Sequence, residues 1–303
     1  MWLVFAFLSA ALLGFYDAFK KEALSGNAVL PVLFLNTMFC SVIFLPLILA
    51  SAYTDLLDGS VFYVPTAGWE VHKYILLKSC IVLSSWVFGY FGMKNLPLTI
   101  VGPINATRPV MVLVGAFFGE RLNVWQWIGV LLAVASFFML SRSGKKEGID
   151  FKTNSWIWMI VAAAALGAVS GLYDKYLMAP VGAGGVGLNQ MIVQSWYNIY
   201  QFFMMGAMLL LIWWPTRKRT TPFHWHWSIV CVSIFLSAAD FVYFYALTIP
   251  GAMISIVSMI RRGSVVVSFL FGAVAFHEKN LKAKVVDLAL VLLGMVFLYI
   301  GSR

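Results

Sequence analysis

Two stretches decide the fold: "GFYDAFKKEAL" at residues 14–24 and "GLYDKYL" at residues 171–177. Each sets Gly, Tyr and Asp together near the end of a long apolar run. A carboxylate in such a place is costly unless a cation or water reaches it. Its return after half the chain points to duplication.

Sliding the sequence on itself by 157 residues sets Gly14 on Gly171, Tyr16 on Tyr173 and Asp17 on Asp174. A shift of 158 sets Glu120 on Glu278 and "WIGVLLAVASFFML" (127–140) on "VVDLALVLLGMVFL" (285–298). "YFGMKNLP" (90–97) meets "YFYALTIP" (243–250) at a shift of 153, so small insertions lie between the anchors. The chain reads as a first repeat (1–141), a polar linker (142–154, within "SRSGKKEGIDFKTN") and a second repeat (155–303).

The composition says where these repeats live. Of 303 residues, 62% are hydrophobic and 11% charged, with a mean hydropathy of +0.89, far from the roughly half-apolar usage of a soluble domain. Apolar stretches of about 20 residues, enough for a ~30 Å hydrocarbon core, recur throughout. They are continuous rather than alternating, which selects helices over barrel strands. The spans are placed at 2–22, 29–52, 74–94, 97–118, 123–141, 155–178, 188–214, 227–247, 250–276 and 283–301. The fold class is therefore all-α integral membrane, with ten transmembrane helices. Five helices per repeat is an odd number, so the second repeat enters the membrane inverted, a construction common in secondary transporters. The first span lacks a basic leader and a small-residue cleavage site, and is expected to be retained.

The formal charge of +9 sits in short loops beside apolar spans, which fits topology-setting charge and the lipid bilayer as partner rather than nucleic acid. Lys and Arg concentrate after odd-numbered spans, including Lys20, Lys21, Lys94, Arg217 and Lys284. The positive-inside rule then puts both termini outside. Cys40, Cys80 and Cys231 lack metal-ligand spacing and read as core residues. "HWHW" (224–227) places His224 and His226 two apart, off a common helix face, and reads as an interfacial belt. No metal or cofactor is called for. "GAGGVG" (182–187) follows no strand and reads as a connector or hinge.

Deep polar residues mark the candidate site. Arg108, Asp240, Arg261 and Arg262 lie well inside their spans, where charges usually face a cavity or a partner. Helical spacing extends them into stripes: Thr99, Gly102, Asn105 and Arg108; Ser233, Ser237 and Asp240; Ser255, Ser258 and Arg262. The seventh span adds Gln190, Gln194, Tyr197 or Asn198, and Gln201. A dry bundle could bond these groups to one another. Three arginines against one aspartate nevertheless leave a cationic excess that asks for an anion, and the guanidinium fork suits carboxylate or phosphate. Tyr90, Tyr243 and Trp86 could line the same cavity, against ordinary aromatic packing. Lys78, near a span start, is expected to snorkel to the interface. Asp17 has two readings, a pair with Lys20 or Lys21 or a gate or coupling role shared with Asp174, Tyr16 and Tyr173. Gly115 and Gly119 favour close helix contact, with a homodimer as the alternative to a monomer.

These features together resemble the drug/metabolite transporter superfamily, EamA type. The resemblance rests on the Gly/aromatic motif closing spans 1 and 6, the "NLP" and "TIP" entries to spans 4 and 9, and "FFGERLNVWQWIG" (117–129) with its partner "AFHEKNLKAKVVD" (275–287). His277 and Lys279 depart from the pattern of the first copy. The resemblance implies export or exchange of small metabolites by alternating access, and both termini inside, against the charge distribution. The resulting expectation is a non-enzymatic secondary transporter of the inner membrane for a small anionic or zwitterionic, amino-acid-like metabolite. If transport is proton-coupled, Asp240, Asp17 or Asp174 takes up the proton. Rival readings are a lipid-linked phosphate flippase and, further off, an intramembrane transferase.

Overall fold

The computed structural model describes residues 2–108, 123–145, 148–178, 181–248, 257, 260–276 and 281–301. Among these residues the chain is helical, with ten α-helices of nine residues or more: α1 (Trp2–Leu24), α2 (Val29–Tyr53), α3 (Trp69–Asn95), α4 (Leu98–Ala106), α5 (Val124–Lys145), α6 (Ser155–Met178), α7 (Gln190–Met208), α8 (Ser228–Thr248), α9 (Ser264–Val274) and α10 (Leu281–Gly301). Seven helices of the described residues are long and apolar enough to cross a membrane, from Trp2–Leu24 to Lys284–Gly301.

Several expected boundaries move. The third span begins at Trp69 rather than at 74, because Gly68 supplies an extended residue before the helix. The seventh does not stay α-helical to 214: α7 passes through a π-turn at Leu209–Trp213. The ninth, expected unbroken over 250–276, turns at Gly263, whose N–H bonds back to the Ile260 carbonyl at 2.8 Å. The fourth leaves α-helical bonding at Thr107, whose N–H bonds to Ile104. Short i→i+3 turns inside helices are hinge-like features that free backbone groups.

Helix packing follows the repeat. The paired helices include α1 with α8, α3 with α6, α1 with α9, α4 with α6, α2 with α8, α3 with α7, α2 with α7, α4 with α9 and α5 with α10. Exchanging each helix for the one five places on maps these nine pairs onto one another, whereas the contacts of α4 with α10 and of α1 with α3 have no counterpart of the same extent among the described residues. Contact between membrane helices depends on close packing rather than on the hydrophobic effect, and Gly14 shows how the opening motif serves it. A Cβ there would lie 2.4 Å from the Val267 Cβ and 3.0 Å from the Ser264 carbonyl oxygen, so α9 docks on α1 only because residue 14 has no side chain. In the second copy nothing lies within 4 Å of a Cβ at Gly171 among the described residues.

The apolar core gathers Leu24, Leu33, Tyr90, Met93, Leu96, Ile100, Ile157 and Ile160 around the ends of α1, α3 and the start of α6. At that face Lys21 donates to the Met93 and Leu96 carbonyls at 2.7 and 2.6 Å, holding the end of α3. Asn27 and His224 exchange two bonds, Nδ2 to the His224 carbonyl at 2.7 Å and the His224 N–H to Oδ1 at 2.9 Å.

Some sequence expectations give way here. Cys40 is buried, but Cys80 is exposed on the outer surface of α3 and is no core residue. Lys284 is not a loop cation: it is fully buried and donates to Thr99 at 2.9 Å. Lys20 is buried as well. The glycine-rich connector wraps the end of α6, with the Val186 and Leu188 N–H groups bonded to the Tyr176 and Leu177 carbonyls. Gly115, Gly119, Glu120, His277, Glu278 and Lys279 lie outside the described residues.

Candidate functional site: a polar centre at the turns of α4 and α9

The site begins with Asp240 on α8. Its Oδ1 accepts from the Arg261 guanidinium and its Oδ2 from the Tyr197 hydroxyl of α7 at 3.0 Å. The Arg261 guanidinium also lies over the Tyr243 ring, 4.4 Å from its centre. A buried carboxylate so paired meets the rule that charges inside a bundle need partners. Along the same faces, Gln194 donates to the Ser237 carbonyl at 3.4 Å, Ser233 donates to Asn36 Oδ1 at 3.0 Å, and the Ser237 hydroxyl reaches the Cys40 sulfur at 3.5 Å.

Arg108 approaches from the other repeat. Its Nη2 donates to Asn105 Oδ1 at 3.1 Å, and the guanidinium lies flat on the backbone of α6. A Cβ at Gly167 would be 2.6 Å from the Arg108 Cζ. Only glycine leaves the fork its seat.

From α1, Asp17 accepts from Lys20 at 2.8 Å, and the Lys20 ammonium sits over the rings of Tyr16 and Tyr90, at 4.2 and 5.3 Å. The Tyr90 hydroxyl is buried without a hydrogen-bond partner among the described residues.

Many polar atoms in this centre are buried without a hydrogen-bond partner among the described residues: Asn36 Nδ2, Arg108 Nε, Gln194 Oε1, both amide atoms of Gln201 and Arg261 Nε. Each such atom costs about 1–3 kcal/mol unless water or a polar solute satisfies it.

Of the expected site residues, Asp240, Arg261 and Tyr243 meet directly, with Gln194 bonded to α8 beside them; Arg108 and Asn105 bond to each other; Tyr90, Tyr16 and Asp17 meet at Lys20; and Arg262 follows Arg261 in the turn before Gly263. Trp86 instead packs against both apolar clusters. Ser258 lies outside the described residues. Asp174 and Tyr173 are elsewhere, near the end of α6: Asp174 pairs with Lys78 of α3, and the Tyr173 hydroxyl donates to the Tyr74 carbonyl at 3.3 Å. Lys78 therefore does not snorkel. Its side chain is 4% exposed, held by Asp174 and set over the Tyr197 ring at 5.1 Å.

Two features escape a reading by composition alone. Asn36 and Cys40 sit in a long apolar run, and only the packing of α2 on α8 shows that they face the centre. The relation between the arginines was legible: continuing the Pro97-to-Pro250 shift of 153 sets Arg108 on Arg261, and one residue more sets it on Arg262. Each half thus places arginine beside its helix turn, Arg108 after Thr107 and Arg261–Arg262 before Gly263.

Comparison with known proteins agrees with this architecture. No curated protein sequence matches the chain. A solved structure, described only as the crystal structure of a protein, superposes with a TM-score of 0.63 at 16% sequence identity, over 96% of this chain and 94% of the other. That likeness shows a shared fold. Residues 1–142, just under half of the chain, match the EamA-like transporter family, and with its long apolar helices the chain is similar to multi-pass membrane transporters of the drug/metabolite transporter superfamily, EamA type.

Proposed function

We propose that this protein is a secondary transporter that exports or exchanges a small anionic or zwitterionic metabolite across the cytoplasmic membrane by alternating access. The observation that carries the reading is the pair of guanidinium groups of Arg108 and Arg261 inside the bundle, each with a buried Nε that has no hydrogen-bond partner among the described residues. Arginine forks suit the flat oxygen array of carboxylate or phosphate. Tyr243, Tyr90 and Tyr16 offer aromatic faces and hydroxyls for the rest of the substrate. The repeats 1–141 and 155–303, joined by the linker 142–154, would rock about the turns in α4 and α9, with the site where inverted repeats meet.

Two ion pairs suit the role of latches at opposite ends of the bundle, Asp17 with Lys20 on α1 and Asp174 with Lys78 across α6 and α3. Should protons drive transport, Asp240 has the necessary position, since its carboxylate touches both Arg261 and Tyr197.

The test is a thermal-shift screen of the purified protein against amino acids, organic acids, sugar phosphates and polyprenyl phosphates, beside Arg108→Gln. A ligand bound only by the folded state raises the melting temperature. The expected result is a stabilising anion or zwitterion whose apparent affinity falls about tenfold or more in the variant, the range for a lost hydrogen bond to a charged group. Stabilisation by neutral compounds alone, or unchanged by the variant, would refute the site. A polyprenyl phosphate as the sole hit would favour the flippase reading.

A further inference from the structure

The connection from α2 to α3 (residues 54–68) holds "VFYV" at 61–64, four apolar or aromatic residues in a row beside Asp55 and Asp58. Such a run outside a helix is unfavourable in water unless it is seated on something. Here it is seated on the bundle. The Phe62 ring stacks on Phe241 of α8, with centroids 4.9 Å apart and planes within 9°. Phe241 stacks in turn on Tyr245 at 6.3 Å, and Tyr245 meets Phe5 of α1 edge-on at 5.2 Å. Val64 is 4% exposed and belongs to one apolar cluster with Phe44 of α2, Ile75 of α3, and Met191, Ile192 and Tyr197 of α7. A buried loop has to satisfy its backbone, and the Val64 N–H does so by donating to the Ser51 hydroxyl at 3.0 Å.

These contacts lay the connection across the ends of α2, α3, α7 and α8, next to the pairings of Asp240. Tyr197, which shares the cluster with Val64, donates to Asp240, and Phe241 follows Asp240 in the chain. The two anchors differ in kind. Val64 is held by burial and a hydrogen bond, whereas Phe62 remains 43% exposed while resting on the Phe241 ring. Just before them Gly59, at φ +71°, turns the chain through a conformation that a side chain would strain. We infer that residues 59–64 form a lid over the polar centre, with the Phe62–Phe241 stack as the catch that holds it shut. Release of one ring pair, without rearrangement of whole helices, then admits water and small solutes to Asp240 from this end. The inference concerns access, so its failure would leave the anion-binding reading untouched.

Cys40 provides the reporter, because it is buried and the Ser237 hydroxyl of α8 reaches its sulfur at 3.5 Å. In the full-length chain with Cys80 and Cys231 changed to Ser, its modification by a small impermeant methanethiosulfonate is timed in sealed vesicles of both orientations. A buried thiol reacts only while its surroundings open, so the rate follows the open population. Phe62→Ala and Phe241→Ala are each expected to speed the reaction roughly three- to tenfold, the range that loss of one aromatic pair allows. The acceleration should come from the side on which Leu56→Cys reacts, with the melting temperature of the purified protein nearly unchanged. The double variant should react little faster than either single one, since both remove the same contact, and Phe62→Trp, which preserves a stacking ring, should react like wild type. Rates unchanged in both single variants, fully additive effects in the double, or acceleration from the opposite side alone would overturn the lid. Acceleration matched by a marked fall in melting temperature would overturn it too, because Phe62 would then serve general packing.

Discussion

At the scale of single residues, placement by glycine matters as much as charge. Arg108 lies on α6 because Gly167 has no side chain, with a Cβ there falling 2.6 Å from the guanidinium carbon. Gly167→Ala would not collide with backbone, since the far end of a long side chain can move away at little cost. The fork, however, would lose its seat. Gly167→Ala is therefore expected to leave the melting temperature nearly unchanged, helped by the better helix propensity of alanine, while weakening anion-induced stabilisation about as much as Arg108→Gln does. A fall in stability with binding intact would show that Gly167 serves packing alone. Arg108 itself was legible from sequence, because a charge in the middle of an apolar span has to be explained. Gly167 was not, because one glycine in "AAAALGAVSG" (162–171) looks like any small residue in a membrane helix.

At the scale of elements, the helix turns and the inter-helix pairs organise the bundle. The turns at Thr107 and Gly263 interrupt helices that hydropathy reads as continuous, since hydropathy reports depth and not hydrogen bonding. Lysine placement misled the sequence reading for a related reason. Lys20, Lys78 and Lys284 lie near span ends, yet all three are buried, each held by a partner on its own helix or a neighbouring one. The pair between Lys78 and Asp174 joins α3 to α6 across the repeats and admits a direct check. Lys78→Asp alone should set two carboxylates together and depress transport severely, because like charges in a poorly solvated site repel. The exchange Lys78→Asp with Asp174→Lys should recover a substantial part of the flux in reconstituted vesicles. Failure of the exchange to recover anything would mean that Lys78 acts through Tyr197, over which it sits, rather than through its carboxylate partner.

At the scale of the molecule, the odd number of helices per repeat inverts the second copy, and the packing of α3 against α6 matches that of α1 against α8. Ten crossings put the connection between α2 and α3 on the same face as the connection between α6 and α7, with the connection between α7 and α8 opposite. Single cysteines at Leu56, Val181 and Arg217, all exposed, report this in a chain with Cys80 changed to Ser. Positions 56 and 181 should react with an impermeant maleimide from one side of sealed cells, and 217 from the other. The charge distribution expects 217 on the inside, the resemblance to the family expects it outside, and the labelling decides between them.

The membrane class and the helical character were legible in the amino-acid sequence, because both follow from transfer energies along a single segment. Tertiary structure decided the rest: which cation meets which carboxylate, that Asn36 and Cys40 bond to α8, that Trp86 packs apolar, and that Arg108 rests on α6 at Gly167. Those facts depend on how helices distant in sequence cross. A one-dimensional pattern gives the cost of burying a charge, whereas only the crossing of helices supplies its partner.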